Sequence, residues 1–546
     1  MWNQGWRDRA WSELDRPWDV IVIGGGITGA GILREAVRAG LRTLLVEAHD
    51  FASGTSSRSG KLVHGGLRYL RTGQLGLTLQ SVRERERLLR EGRGLVCPLP
   101  QLMVCFRRDP IPPWVFGAGL ALYDLLALKW GHRRYGPSGL RALCPPLADS
   151  DLLGGYRYFD AQTDDARLVL RLIREAVRAG GIALNYARVE GLLRRHSGRV
   201  SGVILRDQAP GASGRTAEVQ APVVISATGA WADELRAQVG GVPRLRHLRG
   251  SHLFFPAARL PLTRAVCFLH PHDHRPLYVF PWEGVIIAGT TDVDHGRPVE
   301  TDPAIQPAEA EYLLTALRHV FPSLDLGLDD VLATQAGIRA VVGTGKADPS
   351  QESREHVLWE EDGLLTVTGG KLTTFLRMAC DALHAVRSRL PVTCHLDDRA
   401  RVLEVPPSEG FLATELDPST RLRLLGRYGA DASALLAAAH PDELKPIDGC
   451  LPLWAELRWA ARAEGVVHLE DLLLRRVRLG LTAPCGGLPL LDRIRRLAQA
   501  ELGWDDDRWQ HEAQAYAALW KACYSPPGSW GRTAEAIDDA PESARH

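Results

Sequence analysis

The run Asp19-Val-Ile-Val-Ile23, followed at once by Gly24-Gly25-Gly26-Ile27-Thr28-Gly29, limits the fold of this chain more than any other feature. A short β-branched run of this kind makes a buried parallel strand. The glycines spell G-x-G-x-x-G, and from Ile27 to Ala39 the residues change to a small-residue helical pattern that stops at Gly40. Leu41 to Glu47 reads as a second strand. That completes a βαβ unit and predicts an α/β chain with a doubly wound sheet. In this setting the glycines close a tight turn and let backbone N–H groups and the helix N-terminus approach a pyrophosphate. Glu47 stands where an acid binds a ribose hydroxyl pair and repels a 2′-phosphate. A bare βα turn with an exposed glutamate is the alternative, but strand, glycines, helix, strand and acid in this order favour a dinucleotide site.

With 546 residues the chain is long enough for two or three cores. A charged fraction of 24% and a net charge of +1 give no electrostatic reason to expect a nucleic-acid partner. The longest apolar stretch, Trp114 to Trp130, is interrupted by Asp124 and Lys129 and falls short of the ~20 residues of a spanning helix, so no transmembrane segment is expected. The N-terminal residues lack the apolar core of a secretory signal, which points to a cytoplasmic location. Nine cysteines without a C-x-x-C pair argue against a zinc ribbon, an iron–sulfur cluster or a redox dithiol, and no metal site is expected.

Further βα material appears in the helical pattern 166–179 and the strand-like runs 183–186 and 221–227. Residues 245–335 contain strand-like runs at 251–255, 277–281 and 285–289, which suggest an antiparallel sheet covering the substrate. A strand at 364–368 then runs into Gly369-Gly370 and a helix from Thr373. The expected organisation is a discontinuous nucleotide-binding domain (17–95, 156–240 and 336–392) with an inserted, mainly antiparallel β cap domain (96–155 and 241–335). A C-terminal all-helical domain (405–525) begins at the Pro406-Pro407 linker, and 526–546 reads as a disordered tail.

Residues 55–69, Thr-Ser-Ser-Arg-Ser-Gly-Lys-Leu-Val-His-Gly-Gly-Leu-Arg-Tyr, form a hydroxyl- and glycine-rich passage where a simple NAD domain proceeds into its next helix. The passage resembles the one that runs under the isoalloxazine in the FAD-dependent glycerol-3-phosphate dehydrogenases. Segments 224–231, 249–253, 288–293, 337–339 and 369–374 resemble further motifs of that family in order. The resemblance spans about 19 to 390, and the region after 410 resembles the family's C-terminal domain.

The resemblance implies a Rossmann-like domain with non-covalent FAD, in which Gly24, Gly26, Ile27, Thr28, Gly29 and Glu47 hold the adenosine and pyrophosphate. It places Thr55, Ser56, Ser57, Lys61 and Leu62 beside the flavin, with Val189, Gly229, Gly370 and Thr373 as further contacts. It also implies that Arg68, Tyr69, His252, Arg339, Arg354 and Lys371 surround the substrate, sn-glycerol 3-phosphate. Clustered guanidinium and ammonium groups suit a phosphate dianion. Hydride transfer from C2 needs a base for the C2 hydroxyl, and His64 and His252 are both candidates; Arg339 and Lys371 could also stabilise the developing alkoxide.

The electron acceptor implied is a membrane quinone, and a homodimer is admissible by family analogy. Alternatives are an oxidase that reduces oxygen, an amine or amino-acid oxidase of the same fold, and an FAD-binding scaffold without turnover. A quinone reductase on the inner face of the cell membrane must touch the bilayer. Residues 111–134, apolar with a basic end, read either as a peripheral docking element for an anionic membrane surface or as a buried core helix, the latter slightly favoured.

Overall fold

The computed structural model describes residues 2–66, 75–127, 130–212, 214–299, 302–343, 345, 352, 355–405 and 416–528. The first sheet has six strands in the order His356–Glu361, Leu364–Gly369, Val223–Ser226, Val20–Ile23, Thr43–Val46 and Ile182–Leu184. All neighbours pair in parallel except the edge strand His356–Glu361, which is antiparallel to Leu364–Gly369. The chain leaves the central strand through helix Ile27–Arg38 to one neighbour and reaches the other neighbour much later. A switch point therefore lies at the C-terminal end of Val20–Ile23, where open sheets of this kind bind ligands.

The alternation of side chains explains why this strand reads as an unbroken apolar run. Val20 and Val22 point into a core with helices Ile27–Arg38, Asp165–Arg178 and Phe375–Ala385. Ile21 and Ile23 point the other way, onto a three-stranded antiparallel meander of Ala187–Arg194, Val200–Asp207 and Thr216–Gln220. Helices thus cover one face and a β meander the other. Residues 2–16, ahead of the expected domain limit, also belong here. Helix Trp6–Ser12 sends Arg7 to the carbonyls of Asn185 (2.7 Å) and Tyr186 (2.9 Å), and Trp11, Leu14 and Trp18 join the core.

The second sheet has ten strands and is antiparallel apart from the pairing of Ala265–Leu269 with Val96–Phe106. It does not respect the expected cap limits. Leu62–Val63 pairs with a strand that runs on to Thr163, and Ala333–Val342 pairs with Leu245–Pro256 over ten positions. Position 339 therefore stands on the cap sheet and not in the nucleotide-binding domain. Helices Pro137–Leu143 and Pro307–Val320 cover one face of this sheet. Phe254, Phe280, Trp282 and Ile287 of the other face share a core with the C-terminal domain.

That domain is helical from Pro418 to Cys523, as the composition predicts. Helix Pro113–Ala127 exists, but its burial corrects the core-helix reading: Leu120, Tyr123 and Asp124 face inward, whereas Trp114 (71% exposed) and Leu125 (63%) face outward. Among the described residues no helix is long and apolar enough to cross a membrane. The expected tail falls outside the described residues beyond 528.

Candidate functional site

A cavity of about 560 Å³ opens at the switch point and runs between the two sheets. Its first end is the glycine turn. Gly24 has φ +111°, and a Cβ there would lie 2.5 Å from the Ala227 carbonyl oxygen; a Cβ on Gly29 would lie 1.9 Å from the Gly24 oxygen. These contacts demand glycine and bring the helix start against the strand end. Gly24, Gly26, Ile27 and Thr28 line the cavity, while Gly29 lies behind it as a packing residue. The Ile27 N–H donates to Ser56 Oγ (2.9 Å).

Glu47 lines the same end, and its carboxylate accepts from the N–H groups of Gly25 (2.6 Å) and His49 (2.8 Å). Burial pushes this carboxyl up, and the two N–H donors oppose that. A turn with free room for a diphosphate and an acid beside it fits the adenosine half of a dinucleotide.

The passage after Ala52 forms the next wall. Thr55, Ser56 and Leu62 line the cavity, and Thr55 Oγ1 donates to the Ile338 carbonyl (2.5 Å), which ties the passage to the cap sheet. Ser57 and Lys61 correct the expectation, because neither lines it. Lys61 is buried with Nζ 3.1 Å from both oxygens of Asp165 and from the Ser57 carbonyl. Burial pulls its ammonium down to about 8, against the pull of Asp165. Val189, Gly229, Gly370 and Thr373 all reach the cavity from separate elements.

The far end carries the cations. Arg339 points across the cap sheet, with Nη1 2.9 Å from Asp292 Oδ1 and Nη2 2.8 Å from Thr290 Oγ1. A Cβ on Gly250 would lie 2.1 Å from the Arg339 guanidinium, so the neighbouring strand leaves it room. Lys371 and His64 line the cavity too, and His252 is buried in its wall. Burial, then the charges of Arg339 and Lys61, hold the His252 imidazole well below its ordinary value of 6.5, so it is neutral near pH 7.

Arg68, Tyr69 and Arg354 lie outside the described residues. Arg275 was missed: it lines the cavity and shares Asp292 with Arg339 (Nη2 to Oδ2, 3.2 Å). Nothing in its local sequence separates it from the other fifty-nine arginines. Asp292 and Thr290 were also missed as individuals, although they lie inside the 288–293 motif. No group of acids, histidines and cysteines that could hold a metal ion occurs among the described residues.

The chain matches the family model described as FAD dependent oxidoreductase over residues 19–376 and that described as the C-terminal domain of alpha-glycerophosphate oxidase over 399–509. It is 35% identical over 549 residues to glycerol-3-phosphate dehydrogenase 2 of Mycobacterium tuberculosis, covering 94% of this chain and 92% of that one. It is 31% identical over 490 residues to the aerobic glycerol-3-phosphate dehydrogenase of Staphylococcus saprophyticus, covering 85% and 87%. Among solved structures it is similar to the glycerol-3-phosphate dehydrogenase from Bacillus halodurans complexed with FAD. The TM-score is 0.76 at 28% identity, over 96% of this chain and 98% of that one. The L-alpha-glycerophosphate oxidase from Mycoplasma pneumoniae shares the fold, with TM-score 0.56 at 18% identity over 70% and 98%.

Proposed function

The chain belongs to the FAD-dependent glycerol-3-phosphate dehydrogenase family, and from that premise we propose that it oxidises sn-glycerol 3-phosphate to dihydroxyacetone phosphate and passes the electrons to a membrane quinone. One observation carries the reading: Arg339, Lys371 and a neutral His252 converge on a cavity whose opposite end is the glycine turn beside Glu47. When bound, FAD supplies the two-electron acceptor for the hydride that leaves substrate C2. The helix start at Gly26–Thr28 would take its pyrophosphate and Glu47 its ribose hydroxyls.

The chain's own residues do the rest. Arg339, held rigid by Asp292 and Thr290, and Lys371 bind the phosphate dianion and favour it over uncharged alcohols. His252 is neutral at working pH and so can accept the proton of the C2 hydroxyl, whereas a protonated imidazole in the same wall could not. Of the two candidate histidines, both of which line the cavity, His252 is the one set on the cap strand opposite Gly289 and beside Arg339, and we assign the base role to it.

The quinone part of the reading rests on the outward face of helix Pro113–Ala127. Trp114, Val115, Leu122 and Leu125 are exposed there, as is Trp130 beyond it, beside exposed Arg133 and Arg134. Aromatic and aliphatic side chains with a basic edge suit peripheral docking on the anionic cytoplasmic face of a membrane.

Anaerobic titration tests the chemistry. Glycerol 3-phosphate bleaches the visible flavin band of the unaltered holoenzyme, and equal concentrations of glycerol do not. Arg339→Ala shifts the half-bleaching concentration upward by roughly tenfold to a hundredfold, the scale of one lost charge-assisted contact. An equal response to glycerol would sink the phosphate site.

A further inference from the structure

The C-terminal domain reaches into the cofactor cradle through one short segment. Asp471–Arg476 is a single π-helical turn, and Arg478 follows it with left-handed backbone (φ +67°). Turns of this kind break helical regularity and recur where side chains must be aimed. Three arginines of this segment are buried to 2% exposure or less, and all three leave their own domain. Arg475 Nε lies 2.6 Å from Asp50 Oδ2, and Arg476 grips both Asp50 oxygens at 2.6 and 2.8 Å. Arg478 Nη2 donates to the Ser57 carbonyl (2.9 Å) and to Asp165 Oδ1 (3.0 Å).

These acceptors sit directly behind the cofactor cavity. Asp50 follows Glu47 closely, at the adenosine end. Asp165, the first residue of helix Asp165–Arg178, also receives the Ser59 N–H (3.0 Å), the Ser59 hydroxyl (2.7 Å) and Lys61. Of residues 52–62, all but Ser57 and Lys61 line the cavity. The two that turn away both anchor the passage onto the Asp165–Arg478 pair.

A buried ion cluster is a poor way to stabilise a domain interface, because desolvation offsets most of the attraction. Its gain lies in geometry, since planar guanidinium forks fix the direction of the acceptors they hold. We propose that Arg478 is a positioning residue of the cofactor site: through the Ser57 carbonyl and Asp165 it sets the course of the flavin-bordering passage. Arg475 and Arg476 do the same for the adenosine end through Asp50. The C-terminal domain is then part of the cofactor cradle and not an appendage to it. This rests on the FAD reading above.

The test compares FAD affinity, measured by fluorescence on reconstituting full-length apoprotein, with thermal stability, measured by circular dichroism. Arg174→Met serves as the control, because Arg174 makes an equally buried interdomain pair with Asp431 (2.6 Å) but touches nothing in 52–62. Arg478→Met weakens FAD binding by about tenfold or more and alters the shape of the bound flavin's visible band. Arg478→Lys, which keeps the charge but loses the fork, falls between. Arg174→Met lowers the midpoint of unfolding yet binds FAD within about twofold of wild type. If Arg478→Met does not fold, Ser59→Ala removes the hydroxyl that donates to Asp165 and accepts from the Lys61 N–H, and weakens FAD binding by about threefold. Equal affinity in Arg478→Met and wild type, equal loss in Arg174→Met, or unchanged binding in both Ser59→Ala and Arg478→Lys would overturn the proposal. Wild-type protein that takes up no FAD would overturn the FAD reading along with it.

Discussion

His252 shows how one side chain's surroundings decide its chemistry. It stands on the cap strand Leu245–Pro256, opposite Gly289, where a Cβ would lie 2.4 Å from the imidazole. Burial and the cations Arg339 and Lys61 disfavour its charged form. The sign of the pH effect follows. Above its ordinary value of 6.5 the group is neutral both folded and unfolded, and it costs nothing. As pH falls below that value the unfolded chain takes up a proton that the folded one refuses, so stability falls by up to about 1.4 kcal/mol per pH unit until the folded form also protonates. Replacing His252 by Gln removes this loss. Thermal midpoints measured from about pH 7 down to 5 then fall less steeply than in wild type, while kcat at neutral pH drops by roughly a hundredfold or more. A variant with full activity and an unchanged stability profile would return the base role to His64.

At the scale of an element, helix Pro113–Ala127 is divided between two tasks. Its inner side places the Tyr123 hydroxyl 3.1 Å from Asp160, a cavity-lining residue that also accepts from Arg85 (2.8 Å). Its outer side leaves Trp114 and Leu125 in solvent at a cost that a monomeric soluble surface avoids. Docking on anionic lipid would relieve that cost. The unaltered protein is expected to cosediment with anionic liposomes, and a Trp114→Ser, Leu125→Ser double variant to remain largely in the supernatant with its glycerol 3-phosphate bleaching unaffected. Wild type that never leaves the supernatant, and that consumes oxygen at full rate without quinone, would replace the quinone reading with an oxidase.

Across the whole molecule, helix Asp165–Arg178 is the beam on which the parts meet. Its apolar side packs against the parallel sheet, and three of its four arginines are buried against the C-terminal domain: Arg167 on Glu464 (2.6 and 2.9 Å), Arg171 on the Gly426 carbonyl (2.8 Å) and Arg174 on Asp431. Breaking such pairs strands buried charges, so the domains should not come apart separately. Calorimetry of the holoenzyme should show one cooperative transition. Two resolved transitions would mean that the C-terminal domain folds and melts by itself. The same helix marks the limit of what could be read beforehand. The sequence alone determined the βαβ unit, the glycine turn with Glu47, the helical C-terminal region and the cavity residues of the ordered motifs, because each depends on spacing within a few residues or on a motif carried whole. Tertiary structure alone decided that Lys61 and Ser57 turn away from the cavity, that Arg275 enters it, that 333–342 joins the cap sheet and that three arginines of 475–478 face the cradle. Those outcomes depend on which acid or carbonyl the fold brings alongside, from Asp292 near Arg275 in the chain to Asp50 and Asp165 hundreds of residues from the 475–478 arginines, because a buried cation goes to the partner that repays its desolvation.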